Sequence, residues 1–280
     1  MRHVAQTITL VLILEREADL AMTIRYAVDL AGRNSAHLQV AIGVPPLILP
    51  LATPATEMLV VMEQTNRSGR EAAEALAAMI RIEAKTGGVI ASIEIYSNAY
   101  DPLAPHFMHM ARASDLCVTQ ALPSTMPLQR DIVVDLMIGG GVPVLIVPPA
   151  WDKRGAIRTA LIAWDGSAAA ARAMRDALPL LGEAQSVEIV AILGEKDLSG
   201  QIPCADIARH LTRHGLNVSA SQLPMQDGSV AHTLVAHGKL MWADLVVMGG
   251  YGHSRLREFI LGGVTRETLA QTDIPTLLSH

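Results

Sequence analysis

The chain repeats itself, and that repeat limits its architecture more than any other feature. Residues 10–31 overlay residues 160–181 at an offset of 150, with Ala18/Ala168, Ala21/Ala171, Arg25/Arg175, Ala27/Ala177 and Leu30/Leu180 coinciding without a gap. Later, Ser114-Asp115-Leu116-Cys117-Val118 matches Ala243-Asp244-Leu245-Val246-Val247, and Gly141–Leu145 matches Asp273–Leu277. Ordered matches of this kind indicate an internal duplication. A polar, turn-rich stretch, Pro148 to Gly155, separates the copies, so the expected domains are 1–150 and 156–280.

Each copy alternates short β-rich runs with helical ones. The expected strands are 7–14, 36–43, 89–96, 115–120 and 142–147, then 157–164, 186–193, 217–222, 244–248 and 274–278. Helices are expected near 57–86, 168–181, 203–214, 229–240 and 264–272. This alternation predicts an α/β fold, two tandem doubly wound domains on five-stranded parallel sheets with right-handed crossovers. Composition agrees: half of the 280 residues are hydrophobic yet only 3% are aromatic, which suits strands covered on both faces. The Pro-rich stretch 45–56 reads as a surface loop without a legible role.

Charge and cysteine usage exclude several classes. The net charge is −5, and neither half carries the basic excess that nucleic-acid backbone binding demands. Cys117 and Cys204 cannot build a disulfide framework and suit a reducing cytoplasm. Cys117 falls inside an expected strand and reads as core. The apolar run Ile8–Leu14 is short, meets Glu15-Arg16-Glu17 and reads as a first buried strand rather than a leader. No stretch nears the roughly 18 apolar residues of a membrane span. The pairs His106/His109 and His210/His214 read as helix-surface histidines, since no CxxC or HExxH accompanies them, so no metal site is expected. None of the four lysines follows a GxxxxG segment, and no GxSxG elbow is present.

Ligands of an open parallel sheet bind outside the carboxyl ends of its strands. In the second copy, Trp164-Asp165-Gly166-Ser167 occupies the end of the first strand, where Asp165 can accept from a ribose hydroxyl or hold Mg²⁺ through water. The same residues also read as a turn and helix cap. After the fourth strand come Gly249, Gly250 and Gly252, then Gly262-Gly263 opening the last helix, with Thr265 one turn in. Glycine admits close backbone approach, and a helix start receives phosphate.

This combination resembles the universal stress proteins, whose nucleotide-binding members carry Gly-x2-Gly-x9-Gly-(Ser/Thr) after strand four and an Asp ending strand one. Here the spacing is Gly249-x2-Gly252-x9-Gly262 with Asp165 in place, and the tail Asp273–His280 also resembles that family's last strand. The residue after the third glycine departs from the pattern, being Gly263. The resemblance spans both copies and implies a tandem member with the adenine nucleotide alpha hydrolase-like fold, an intramolecular pseudo-dimer paired through Val142–Val147 and Ile274–Leu278. It implies a stress-response or regulatory role and binding of ATP or another adenine nucleotide, with or without Mg²⁺, by Asp165, Gly249, Gly252, Gly262, Gly263 and Thr265. No catalytic residue is expected, and further homodimerisation and a protein partner stay open. In the first copy, Glu15-Arg16-Glu17 and Gln120-Ala121-Leu122-Pro123 replace both elements, so that half is expected to bind no nucleotide. A scaffold of the same fold, with both pockets vestigial, is the alternative.

Overall fold

The computed structural model describes residues 4–14, 19–47, 56–97, 102–121, 127–193, 204–250, 264, 267–268 and 272–280. The first half comprises β1 (Thr7–Ile13), α1 (Ala21–Asn34), β2 (His37–Gly43), α2 (Thr56–Thr86), β3 (Ala91–Tyr96), α3 (Leu103–Ala111), β4 (Leu116–Gln120), α4 (Pro127–Gly139) and β5 (Val144–Val147). The second comprises β6 (Thr159–Ala163), α5 (Ala168–Ala177), a 3-10 turn (Leu180–Glu183), β7 (Ser186–Leu193), α6 (Cys204–Arg213), β8 (Val218–Pro224), α7 (Val230–Leu240), β9 (Leu245–Gly249) and β10 (Thr276–Ser279). Val264, Glu267 and Thr268 are helical; the rest of the helix expected over 264–272 up to Gln271 lies outside the described residues. Pro179 divides the helix expected over 168–181 into α5 and the 3-10 turn, because it has no N–H for an α-helical bond.

The ten strands among the described residues form one sheet in the order β3-β2-β1-β4-β5-β10-β9-β6-β7-β8. Pairing is parallel within each half, and the halves join where β5 meets β10 antiparallel, Thr276 opposite Ile146 and Leu278 opposite Val144. The intramolecular pairing of the last strands therefore holds. Every residue of β4, β5 and β10 is buried, whereas the outermost strands β3 and β8 alternate between half-buried and exposed. Helices on both faces of the centre and polar side chains along the margins explain the difference.

One face carries a continuous apolar core shared by both halves, running from Ile8, Ile24 and Leu30 through Leu145 and Leu277 to Ala173, Leu181 and Leu211. The other face holds two separate clusters, one centred on α3 and α4 and one on α7. The linker is fixed to the shared core: a Cβ at Gly155 would stand 2.9 Å from Leu30 Cβ and from the Tyr26 carbonyl. Arg33 of α1 reaches across to Glu183, Nη1 to Oε2 3.1 Å, while its Nε holds Asp29.

The duplicated aspartates explain themselves in the sheet. Asp115 Oδ2 accepts from the backbone N–H of Gln6 (2.7 Å) and Thr7 (3.0 Å); Asp244 Oδ2 accepts from Arg158 (3.0 Å) and Thr159 (3.1 Å). Each carboxylate thus ties the entry of a half's fourth strand to the entry of its first. Asp244 also receives Lys153 from the linker, Nζ to Oδ1 3.0 Å. Removing one half-buried carboxylate leaves two backbone donors without their acceptor, and hydrogen bonds to charged groups contribute about 1.5–3 kcal/mol. Asp244→Ala is therefore expected to lower stability by about 2–3 kcal/mol in urea denaturation. An unchanged midpoint would show that these bonds do not stabilise the fold.

Candidate functional site

The chain leaves β6 at Ala163 and turns through residues whose conformations the sequence dictates. Trp164 is buried and its N–H continues the ladder to Val190 (2.8 Å). Asp165 Oδ1 accepts from the Ser167 N–H at 3.0 Å, Gly166 adopts φ of 74°, and Ser167 Oγ caps α5 by accepting from Ala170 N at 3.1 Å. The left-handed φ favours glycine at 166. The structure shows the turn-and-cap reading, with the Asp165 carboxylate set beside the start of a helix.

Next to it, β9 ends at Gly249, parallel to β6 and to β10. Along the sheet the chain continues from β6 to β7 on one side while β9 lies on the other. The carboxyl ends of β6 and β9 thus flank the topological switch point, where doubly wound sheets hold their ligands. Asp165 and Gly249, 84 positions apart in the sequence, are brought together there. Gly252, Gly262, Gly263 and Thr265 lie outside the described residues.

The structure gives Gly249 a packing reason to be glycine. A Cβ there would stand 2.6 Å from Ala170 N, 2.7 Å from the Ala169 carbonyl carbon and 2.9 Å from Ala169 Cβ. Its bareness lets the first turn of α5 sit directly on the strand end, so the expectation of ligand approach is joined by a packing requirement that sequence spacing did not show. Gly250 donates its N–H to Ser279 O at 2.8 Å. A Cβ at Gly250 would lie 2.7 Å from Met137 Sδ, on α4 of the other half.

The corresponding place in the first half is filled. Gln120 stands where Gly249 stands, is 2% exposed, and its Nε2 donates to the Asp19 carbonyl at 2.8 Å. Ala121 repeats the backbone bond of Gly250, donating to Val147 O at 2.7 Å. A buried amide side chain stands where the second half has a bare glycine against the first turn of α5. Glu15, Arg16, Glu17, Leu122 and Pro123 fall outside the described residues.

Arg172 and Asp176, which the sequence did not single out, stand on the α5 face toward β10. Arg172 donates to the His280 carbonyl, and burial raises the Asp176 carboxyl above its ordinary range, opposed by Ser279, Arg175 and Arg172. Elsewhere, the His210 and His214 rings meet edge to face at 4.9 Å, His106 stacks on Tyr96 at 4.6 Å, and Gly140 and Gly141 end α4, Gly141 at φ of 70°. Among the described residues, no three His, Cys, Asp or Glu side chains are grouped to hold a metal, and no helix is long and apolar enough to cross a membrane. A cleft of about 420 Å³ between the halves, lined by Leu30, Arg33, Ile157, Leu180 and His214, lies at the entries of β1 and β6, away from the strand ends just described.

The sequence profile of the universal stress protein family matches residues 205–280. The resemblance is to the universal stress proteins. A universal stress protein from Archaeoglobus fulgidus superposes with a TM-score of 0.72 at 14% identity, covering 97% of this chain and 95% of its own. Two Pseudomonas aeruginosa proteins, one described as functionally unknown, superpose at TM-scores of 0.58 with 14% and 15% identity. Each covers 98% of this chain, and 92% and 93% of its own. At such identities these structures establish the shared tandem fold. No protein of curated function matches the sequence.

Two outcomes follow from the packing. Gly249→Ala forces a Cβ against helix backbone and should cost about 1–3 kcal/mol in thermal or urea unfolding even without ligand; an unaltered stability would leave ligand approach as the reason for this glycine. Cys117 is fully buried and burial pushes its thiol up to about 12, so at pH 8 it stays in the unreactive thiol form. A thiol-disulfide colour reagent should label Cys204 in the native protein and Cys117 only after denaturation. Rapid native labelling of both would contradict the burial of β4.

Proposed function

We propose that the second half, residues 156–280, binds ATP or a related adenine nucleotide, and that the protein acts in a cytoplasmic stress response as a regulator rather than a rapid hydrolase. The observation that carries this reading is the convergence of Asp165, the first turn of α5 and the Gly249–Gly250 strand end at the switch point of β6 and β9. In it, Asp165 contacts ribose or a Mg²⁺-bound water, Gly249, Gly252, Gly262 and Gly263 admit the phosphates through backbone N–H groups, and Thr265 adds a hydroxyl. A bound Mg²⁺ would screen phosphate charge. The N-terminal dipole of α5 favours an anion nearby. Those backbone donors also tolerate Gly263 in place of Ser or Thr, because the hydroxyl is then supplied by Thr265. The first half, residues 1–150, binds no nucleotide, since Gln120 fills its equivalent space. No general base or nucleophile is assigned, in keeping with slow or absent turnover.

A second reading is favoured by specific contacts. Asp165 and Ser167 serve the turn and Gly249 serves α5 packing, which is what a scaffold with vestigial pockets would keep. Unfolding temperature with and without Mg-ATP separates the two. A ligand at a hundred times its Kd adds about 2.7 kcal/mol, and the purified protein should release adenine nucleotide on denaturation. Gly252→Val should abolish the stabilisation with an unchanged circular dichroism spectrum. No stabilisation at millimolar nucleotide, together with an empty preparation, would leave the scaffold reading.

A further inference from the structure

The first half is in contact with the strand end of β9 in the second. Because β5 and β10 run antiparallel, the C-terminal end of α4 lies beside the carboxyl end of β9 and β10. Met137, 3% exposed, has its Sδ where a side chain of Gly250 would be, and Gly250 is in turn bonded to Ser279 of β10. Val264, the first described residue after the glycine motif, packs against the same cluster, which contains Ile132, Val133, Leu136 and Met137 with Met248 and Leu278. Gly250 thus meets α4 of the other half directly, and Val264 packs against the cluster that contains α4 as well as against the α7 cluster.

That helix end is itself held. Arg112, just beyond α3, donates to the Gly139 carbonyl from Nε at 3.0 Å and from Nη2 at 2.8 Å. A Cβ at Gly139 would lie 2.6 Å from Met108 Sδ of α3, so α3 and α4 meet closely there. Interior packing at this density passes a displacement on to its neighbours.

We propose that Met137 is a positioning residue for the nucleotide site, so that α4 of the first half sets the geometry of the Gly249–Gly250 turn and thereby the nucleotide affinity of the second half. This rests on the nucleotide-binding reading. It gives the pocketless half a regulatory part: whatever moves the α3–α4 end alters binding, and binding in turn stabilises that end, as thermodynamic reciprocity requires.

The test uses the full chain, a fluorescent ATP analogue with Mg²⁺, and hydrogen exchange of the Gly249 and Gly250 amides without nucleotide. Met137→Ala should weaken binding about tenfold and speed exchange at Gly249 and Gly250 while Leu245–Val247 stay protected. Met137→Leu should restore both. Leu136→Ala, which empties a buried site one residue away on the same helix, should lower stability with a smaller effect on affinity. Unchanged affinity and exchange in Met137→Ala would overturn the proposal, as would an affinity loss that Leu136→Ala reproduces in full. If the wild-type chain binds no nucleotide, the functional reading fails by itself, and the exchange experiment still decides whether Met137 holds the turn.

Discussion

The antiparallel pairing of β5 with β10 is the constraint on which the rest of the molecule depends. Val144–Val147 and Thr276–Ser279 are all buried, so either half alone would present a four-residue strand edge with unpaired backbone groups, wholly apolar in β5 and apolar at Leu277 and Leu278 in β10. Such an edge recruits another strand. Here the partner is supplied within the chain. Thr276, the polar residue facing Ile146 across the seam, is satisfied locally: its hydroxyl meets the Ile274 carbonyl at 2.9 Å and Thr272 Oγ1 at 2.9 Å. Thr276 therefore adds no unpaired hydroxyl to the seam. Its antiparallel sense also decides which ends of the halves become neighbours, and so why α4 reaches Gly250.

Two copies of one unit have kept their frame and changed their site. Asp115 and Asp244 hold the same backbone donors in each half, and Ala121 and Gly250 make the same bond to the adjoining strand. The difference is concentrated one residue earlier. Gln120 sends a buried amide to the Asp19 carbonyl, whereas Gly249 leaves room for the helix start beside Asp165. A single exchange between a side chain with volume and hydrogen-bonding capacity and one with neither separates a strand end filled by its own amide from one on which the helix start rests.

Much of the fold was legible because its signals are local. β7 coincides with the run read as 186–193, since an aliphatic stretch bounded by polar residues has one economical burial in such a sheet. The break at Pro179 shows the limit of periodicity: the apolar pattern continues through Leu180 and Leu181, both buried, while the α-helix does not. The candidate site was legible in part. Asp165 and Gly249 stand out by position after strands, and the capping by Ser167 follows from residue type. The packing demand on Gly249, the contact of Met137 with Gly250 and the grip of Arg112 on Gly139 were not legible, because each joins residues far apart in sequence whose types carry no chemical signature.

The sequence by itself determined that the chain is duplicated, that each copy is an α/β unit built on aliphatic strands, and that the two strand-end segments differ in chemistry. These are properties of residue order, spacing and side-chain type. Only the tertiary structure decided that one face of the ten-stranded sheet carries a shared core and the other two separate clusters, that the linker lies fixed against α1, and that the end of α4 meets the glycine turn. Those outcomes depend on how the sheets meet at β5 and β10. The direction of that pairing follows from shape and hydrogen-bond register across the whole molecule, which no local pattern encodes.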